Sequence, residues 1–156
     1  MADEQFLQHV TDDLLDLRGQ FLDLVEDHEI YWKVQGLIQS NARLMTARSC
    51  FFDMVNDSFS YWAAIRVRRI VDADNRTISV LRFLSDLASH PSVLNGTITE
   101  DEVQKDILEL HEETKKIKSY VDKCVAHHDR KPTADIPLNK ELTNAIEMLS
   151  RMFHKY

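Results

Sequence analysis

The chain has 156 residues, of which 44% are hydrophobic and 29% charged, with only three glycines and three prolines. This composition is typical of one soluble globular domain over residues 1–156, and it excludes a disordered chain and an all-β protein rich in tight turns. The net charge of −7 excludes a surface that attracts nucleic acid everywhere, so any RNA contact has to use a local basic patch.

The first predicted helix covers about residues 3–38. Its apolar residues recur every three or four positions, which keeps one side of a helix turned towards a partner. The predicted inner residues are Leu7, Val10, Leu14, Leu17, Phe21, Leu24, Tyr31 and Ile38. His28 falls on the same side, and we expect it to be a hydrogen-bonded histidine of the core.

The second predicted helix covers about residues 41–71 and ends in a cluster of arginines. Its predicted inner residues are Leu44, Ala47, Phe51, Met54, Val55, Trp62, Ile65 and Ile70. Arg66, Arg68 and Arg69 suit the negative end of a helix dipole. The alternative is a phosphate-binding patch, because the guanidinium fork matches the oxygens of a phosphate.

Three further helices are predicted. A short one covers about residues 76–89, with Ile78, Leu81 and Leu84 inward, and stops at His90-Pro91. The next begins with a capping box, Thr99 with Glu102, and carries an apolar face from Val103 to Cys124. The last begins near residue 138 after a proline-bearing linker, with Leu142, Ala145, Ile146, Leu149, Met152 and Phe153 inward. We therefore predict an all-α fold, an antiparallel bundle of four long helices plus one short helix.

The cysteines and the hydropathy indicate a compartment. Cys50 and Cys124 both fall on predicted apolar faces, so we expect them to be reduced core residues of a cytoplasmic protein. The acidic N-terminus lacks the basic start of a signal peptide. No apolar run approaches the roughly 20 residues of a membrane span, so no membrane partner is expected.

Metal and cofactor chemistry find little support in the sequence. Of the seven histidines, none has glutamate three positions earlier or histidine four positions later, which the common helical metal motifs require. No glycine-rich phosphate loop is present either. We expect neither metal nor cofactor, although three histidines from separate helices could still meet around one ion. His111, among glutamates, is expected to be solvated.

The fourth predicted helix ends in three titratable residues, His127, His128 and Asp129, and Arg130 follows them. Histidine gives or takes a proton near pH 7. Beside cations, an imidazole can serve RNA cleavage without metal, because the 2′-hydroxyl is the nucleophile and the enzyme supplies proton transfer and charge stabilisation. The alternative without a catalytic role is a helix end exposed to solvent.

Three segments resemble the HEPN superfamily, in particular its abortive-infection, phage-defence branch of the Abi-U type. They are residues 65–72 with the preceding Phe51-Phe52, residues 77–84, and residues 122–129, Asp-Lys-Cys-Val-Ala-His-His-Asp. The last resembles the family's segment Arg-Asn/Asp-Lys-x-x-Ala-His-x-Asp. The matching order and spacing run from the second helix to the loop after the fourth.

The resemblance implies a helical dimer. The active members of the family are metal-independent endoribonucleases with an Arg…His motif in each protomer. His127 matches the motif histidine, and Asp122 and Lys123 match its neighbours, so these three are the candidate catalytic residues. The candidate RNA- and phosphate-binding residues are Arg66, Arg68, Arg69, His128 and Arg130. Val121 stands where the motif has its arginine. Implied partners are a second copy, RNA and an antitoxin-type protein. The alternatives are a catalytically degenerate module that binds RNA, nucleotide or protein, and a plain dimeric scaffold.

Overall fold

The computed structural model of the protein describes residues 2–46, 50–74, 76–94, 98–125, 137 and 139–156. The described chain is helical apart from short connections and contains no strand, so the all-α prediction is confirmed. The helices are α1 (Ala2–Ser40), α2 (Ala42–Thr46), α3 (Cys50–Ile70), α4 (Val80–Ser89), α5 (Glu100–Tyr120) and α6 (Asn139–Lys155). A 3-10 turn follows α4 over Pro91–Leu94, and one π-helical turn follows α5 over Val121–Val125.

The long helices alternate in direction. Phe21 of α1 stacks on Phe153 near the end of α6, whereas Tyr31, farther along α1, contacts Asn139 at the start of α6. The residue numbers fall on one helix as they rise on the other, so the two helices are antiparallel. The pairs Asp106–Lys155 and Lys116–Glu141 give the same order for α5 and α6. The short α4 packs against α5 and the first turns of α1.

The core lies where α1, α3, α4, α5 and α6 meet. Its fully buried side chains include Leu17, Leu24, Val67, Ile70, Leu84, Val103, Leu110, Ile117, Leu142 and Leu149. Burying each aliphatic side chain of this size stabilises the fold by roughly 1.5–3 kcal/mol. Most of the inner positions predicted for α5 and α6 are buried as expected. No helix in the described part of the chain combines the length and apolar character that a membrane span requires.

The inner face predicted for α3 is wrong over its first half. Phe51, Met54 and Trp62 are exposed, whereas Ala63 and Ala64 enter the core. Leu7 of α1, predicted to be inward, is exposed as well. Periodicity finds an apolar side of a helix, but it cannot tell which of two apolar sides the rest of the bundle covers.

Three smaller corrections concern the cysteines and the short helix. Cys50 is exposed instead of buried, because it opens α3 on the part that the bundle leaves uncovered. The side chain of Cys124 lies outside the described residues. The short helix begins at Val80 and not near residue 76, because Ser79 has an extended backbone and its hydroxyl accepts the N–H of Arg82 as an N-cap. Ile78 therefore precedes the helix and is exposed.

Candidate functional site

The arginines at the end of α3 point to two different neighbours. Successive helical residues are about 100° apart, so Arg66 reaches α1 while Arg68 reaches the π-helical turn after α5. The Arg66 Nη1 atom lies 3.6 Å from an oxygen of Asp23 and 3.6 Å from an oxygen of Asp27. These distances are too long for hydrogen bonds, and the buried Nη1 has no hydrogen-bond partner among the described residues. The guanidinium carbon stacks 3.6 Å over the ring of Trp62.

Arg68 is held more tightly, between two carboxylates. Its Nε donates to Asp122 Oδ1 at 3.0 Å, and its Nη1 lies 3.0 Å from Asp72 Oδ1 as an ion pair with poor hydrogen-bond angles. The side chain is only 19% exposed. Burial by itself would lower the pKa of the Arg68 guanidinium, but the carboxylates of Asp72 and Asp122 outweigh burial and raise it. Arg68 is therefore a permanent cation whose charge is fully compensated.

Asp72 completes this cluster from the turn after α3. Partial burial would raise the pKa of its carboxyl group. The Arg68 guanidinium and the backbone N–H of Asp74, which donates at 3.0 Å, together bring that pKa below its ordinary value. The turn is thus tied at once to α3 and, through Arg68, to the turn that follows α5. We call Asp72, Arg68 and Asp122 the arginine clamp.

The predicted catalytic residues lie partly within this region. Asp122 is half-buried and engaged by Arg68, and Lys123 is exposed. Val121 is 8% exposed and packs in the core, as its place on the apolar face of the helix predicted. The segment that resembles the HEPN motif begins within the π-helical turn Val121–Val125. Such turns are frequent at functional sites. His127, His128 and Arg130 lie outside the described residues.

Two of the predicted phosphate-binding residues share a cleft between α1 and α3. Arg66 and Arg69 line it together with Gln20, Asp23 and Ile70, around a volume of about 110 Å³. Arg69 is exposed. Because Asp23 touches Arg66 only loosely, an anion bonded by both guanidinium groups would compete with that carboxylate. Arg68 does not line this cleft, so the structure divides the predicted arginine patch.

A polar network that no sequence motif announces lies at the junction of α1, α3 and α6. The Tyr31 hydroxyl donates to Asn56 Oδ1 at 2.8 Å and accepts from Asn139 Nδ2 at 2.6 Å. Asn56 Oδ1 also accepts from Gln35 at 2.7 Å, and Asn139 Oδ1 accepts from the Ser60 hydroxyl at 2.9 Å. The position of Tyr31 on a predicted core face indicates such a network, because a buried hydroxyl needs hydrogen-bond partners.

His28 lies one turn before this network and is hydrogen-bonded as expected. Its Nε2 accepts from Trp32 Nε1 at 2.8 Å and lies 3.0 Å from the Thr143 hydroxyl. An Nε2 that accepts has no proton, so the ring is neutral with its hydrogen on Nδ1. Burial lowers the pKa of His28, and the negative charges of Glu147 and Glu29 oppose that shift without cancelling it.

Metal ligands are not grouped in the part of the chain that the structure describes: no three His, Cys, Asp or Glu side chains there could hold an ion together. His111 is exposed on α5, as expected. No protein family, curated protein or solved structure matches this chain.

Proposed function

We propose that the protein is a HEPN-like module of a defence or toxin–antitoxin system that cleaves RNA without a metal ion, with His127 as the acid–base. The observation that carries the proposal is the 3.0 Å contact between Arg68 and Asp122. It joins the arginine-rich end of α3 to the turn that leads into the histidines. His127 follows Asp122 by five residues, a stretch that reaches at most about 18 Å.

Each candidate residue then has a distinct part in the reaction. Lys123, an exposed cation of the π-helical turn, binds the scissile phosphate, and Arg69 with Arg66 binds a neighbouring phosphate of the RNA in the cleft between α1 and α3. Arg68 positions Asp122 and the π-helical turn. His127 accepts the proton of the 2′-hydroxyl as the 2′-oxygen attacks phosphorus. It then donates a proton to the 5′-oxygen as the bond between phosphorus and that oxygen breaks. The products are a 2′,3′-cyclic phosphate and a 5′-hydroxyl.

A second candidate, a non-catalytic HEPN-like module that binds RNA, a nucleotide or an antitoxin-type protein, is favoured by two observations. The position of the motif arginine is Val121, which is buried. The charge of Arg68, which bonds Asp122 of that turn, is compensated by two carboxylates. A developing negative charge would find less stabilisation there than a free arginine gives, and such a loss costs orders of magnitude in rate.

One experiment separates the two candidates. Labelled single-stranded RNA is incubated with the purified protein in a metal chelator, and the products are tested for a cyclic phosphate end. Retardation of uncleaved RNA is measured in parallel at low salt, where electrostatic binding is strongest. His127→Ala is the test variant. His111→Ala is the matched control, because it removes an exposed imidazole from the middle of α5.

Each outcome decides between the candidates. Cleavage that is lost in His127→Ala and kept in His111→Ala supports the ribonuclease. Retardation without cleavage, in the wild type and in His111→Ala, supports the binding module. Intact RNA with no retardation overturns both RNA functions and leaves a module that binds a nucleotide or a protein, or a plain helical scaffold.

A further inference from the structure

A groove between α1 and the end of α6 is lined mainly by apolar side chains. It encloses about 440 Å³, within the range of about 300–1,000 Å³ that small-molecule sites occupy. The apolar part of its lining consists of Leu14, Leu15, Phe21, Leu22, Phe153 and Tyr156. Two basic side chains, Arg18 and His154, complete the lining, and we call the whole set the α1–α6 groove. Many apolar walls with a few polar groups are the composition of a small-molecule site.

The floor and the rim of the α1–α6 groove come from one side of α1. Positions 14, 15, 18, 21 and 22 are three or four residues apart, or adjacent, so they share one side of a helix. The rings of Phe21 and Phe153 stack with their centroids 4.6 Å apart and close the floor. Leu15 and Leu22 are 60% and 53% exposed and form the open rim. A ligand that covers this rim removes apolar surface from water, which favours binding in proportion to the area covered.

A small void in the core adjoins the groove. It measures about 10 Å³, lies between α1, α4 and α6, and shares Leu14, Phe153 and Tyr156 with the groove. Its lining is apolar, so a water molecule there would find no polar partner. The Tyr156 hydroxyl donates to Asp106 Oδ2 at 2.7 Å, so Tyr156 offers the groove its ring. The side chains of the floor therefore have room to adjust to an alkyl chain.

Arg18 determines which charge the groove attracts. Among the described residues, Arg18 has neither a hydrogen bond nor an ion pair. The positions one turn away on α1 are 14, 15, 21 and 22, which are all leucine or phenylalanine, so no carboxylate of its own helix faces it. A guanidinium binds the two oxygens of a carboxylate through two parallel hydrogen bonds. An uncompensated cation thus stands beside an apolar groove.

His154 adds a second basic group to the groove. Its Nδ1 lies 2.7 Å from the carbonyl oxygen of Ser150, and since a carbonyl only accepts, Nδ1 carries a hydrogen. Protonation of the ring makes Nε2 a donor as well. The neighbouring Lys155 is bonded to Asp106 at 2.6 Å. In the described part of the chain, no acidic residue lines the groove, so its polar groups favour an anion.

We propose that the α1–α6 groove binds an amphiphilic carboxylate, with the carboxylate on Arg18 and a straight alkyl chain along the apolar walls. From Leu15 to Leu22 the groove follows α1 for about 10 Å. An extended chain advances about 1.2 Å per bond, so about eight to ten carbons cover that length. The groove shares no residue with the arginine clamp or with the cleft between α1 and α3, so the inference needs neither RNA nor His127.

Isothermal titration calorimetry of the intact chain with hexanoate, octanoate and decanoate tests the proposal, at concentrations where each is monomeric. We expect a Kd on the order of 100 µM for decanoate. Affinity should rise about two- to fourfold per added carbon, because a fully buried CH₂ contributes about a fourfold gain and the groove is partly open. Decyltrimethylammonium has the same chain with a positive charge, and it should bind at least about tenfold more weakly.

Two substitutions test the residues that carry the proposal. Arg18→Gln removes the charge and should weaken decanoate binding about tenfold. Leu22→Glu places a carboxylate one turn from Arg18, where it pairs with the guanidinium in place of the ligand, so a similar loss is expected. The matched controls are Arg43→Gln on α2 and Leu108→Glu on α5, at a side chain that is 67% exposed, and both should bind as the wild type does. Circular dichroism and thermal melting establish that each variant is folded.

Each outcome bears on the groove directly. Binding that grows with chain length, weakens in both groove variants and is kept in both controls supports the proposal. The proposal is overturned if decanoate does not bind at about 1 mM, if decyltrimethylammonium binds equally well, or if Arg18→Gln leaves the affinity unchanged. Co-sedimentation with vesicles of anionic lipid, without binding of monomeric decanoate, would assign the groove to a lipid surface and would also overturn it.

Discussion

Replacing Arg68 by methionine tests the arginine clamp. The substitution keeps a flexible chain of similar length but removes the guanidinium that bonds Asp122 and pairs with Asp72. Two carboxylates are then left near each other without a cation. We expect a less stable protein in which the turn after α3 and the turn after α5 are no longer tied together.

The size of the effect follows from the contacts. A hydrogen bond to a charged group contributes about 1.5–3 kcal/mol, and an exposed ion pair contributes about 0–1 kcal/mol. Arg68 is mostly buried, but Asp122 is 42% exposed, so water screens part of that pair. We expect a loss of about 2 kcal/mol in the free energy of unfolding. For a chain of this length, such a loss lowers Tm by roughly 4–8 °C.

The stability difference between wild type and Arg68→Met is expected to depend on pH. The pKa of Asp72 is lowered in the fold, so this group contributes stability that is present above its ordinary value of 3.8 and is lost as the pH falls through the folded value. The gap between wild type and Arg68→Met is therefore largest near neutral pH and narrows in acid below about pH 4. Urea unfolding at several pH values measures both quantities.

Arg68→Lys is the matched variant for geometry. It keeps the charge but loses the fork, so it is expected to recover less than half of the lost stability. A methionine variant within about 0.5 kcal/mol of the wild type at pH 7 would show that the clamp does not stabilise the fold. A gap that stays constant down to pH 3 would show that the carboxylate charges are not the cause.

Three further predictions concern other parts of the chain. Thr99→Ala removes the cap of α5 and should cost about 1 kcal/mol in urea unfolding, while Thr11→Ala, which loses only a hydroxyl bonded within its own helix, should be near neutral. Because burial lowers the pKa of His28, its contribution to the free energy of unfolding is complete above pH 6.5 and falls as the pH drops. His28→Gln should therefore flatten the dependence of that free energy on pH between about pH 5 and 7, and an unchanged dependence would contradict this. Val121→Arg restores the motif arginine but buries a charge, so we expect a loss of about 3 kcal/mol or more and no gain in RNA cleavage; a stable variant that gains cleavage would show the opposite.

Local features were predictable from the sequence wherever a single segment decides them. The capping box of Thr99 and Glu102 is present with both of its hydrogen bonds, because it depends on four consecutive residues. The inner face of α5 was also predicted, since that helix has one apolar side and a strongly charged remainder. The neutral, hydrogen-bonded state of His28 agrees with its place on an apolar face.

The candidate site was predictable only in part. The sequence grouped Arg66, Arg68 and Arg69 as one basic patch. The fold instead gives Arg68 to Asp122 and leaves Arg66 and Arg69 in a separate cleft. Which carboxylate approaches which arginine depends on how α1 and α5 pack against α3, and no local pattern carries that information.

The sequence by itself determined that the chain is helical, where most of its helices begin, and which sides of α5 and α6 are buried. These properties follow from hydrophobic periodicity and from caps, which act within a few turns. Only the tertiary structure decided which of the two apolar sides of α3 enters the core. That choice depends on the neighbours of α3, because Tyr31 and Asn139 hydrogen-bond Asn56 and Ser60 on its inner side, which leaves Phe51 and Trp62 facing solvent.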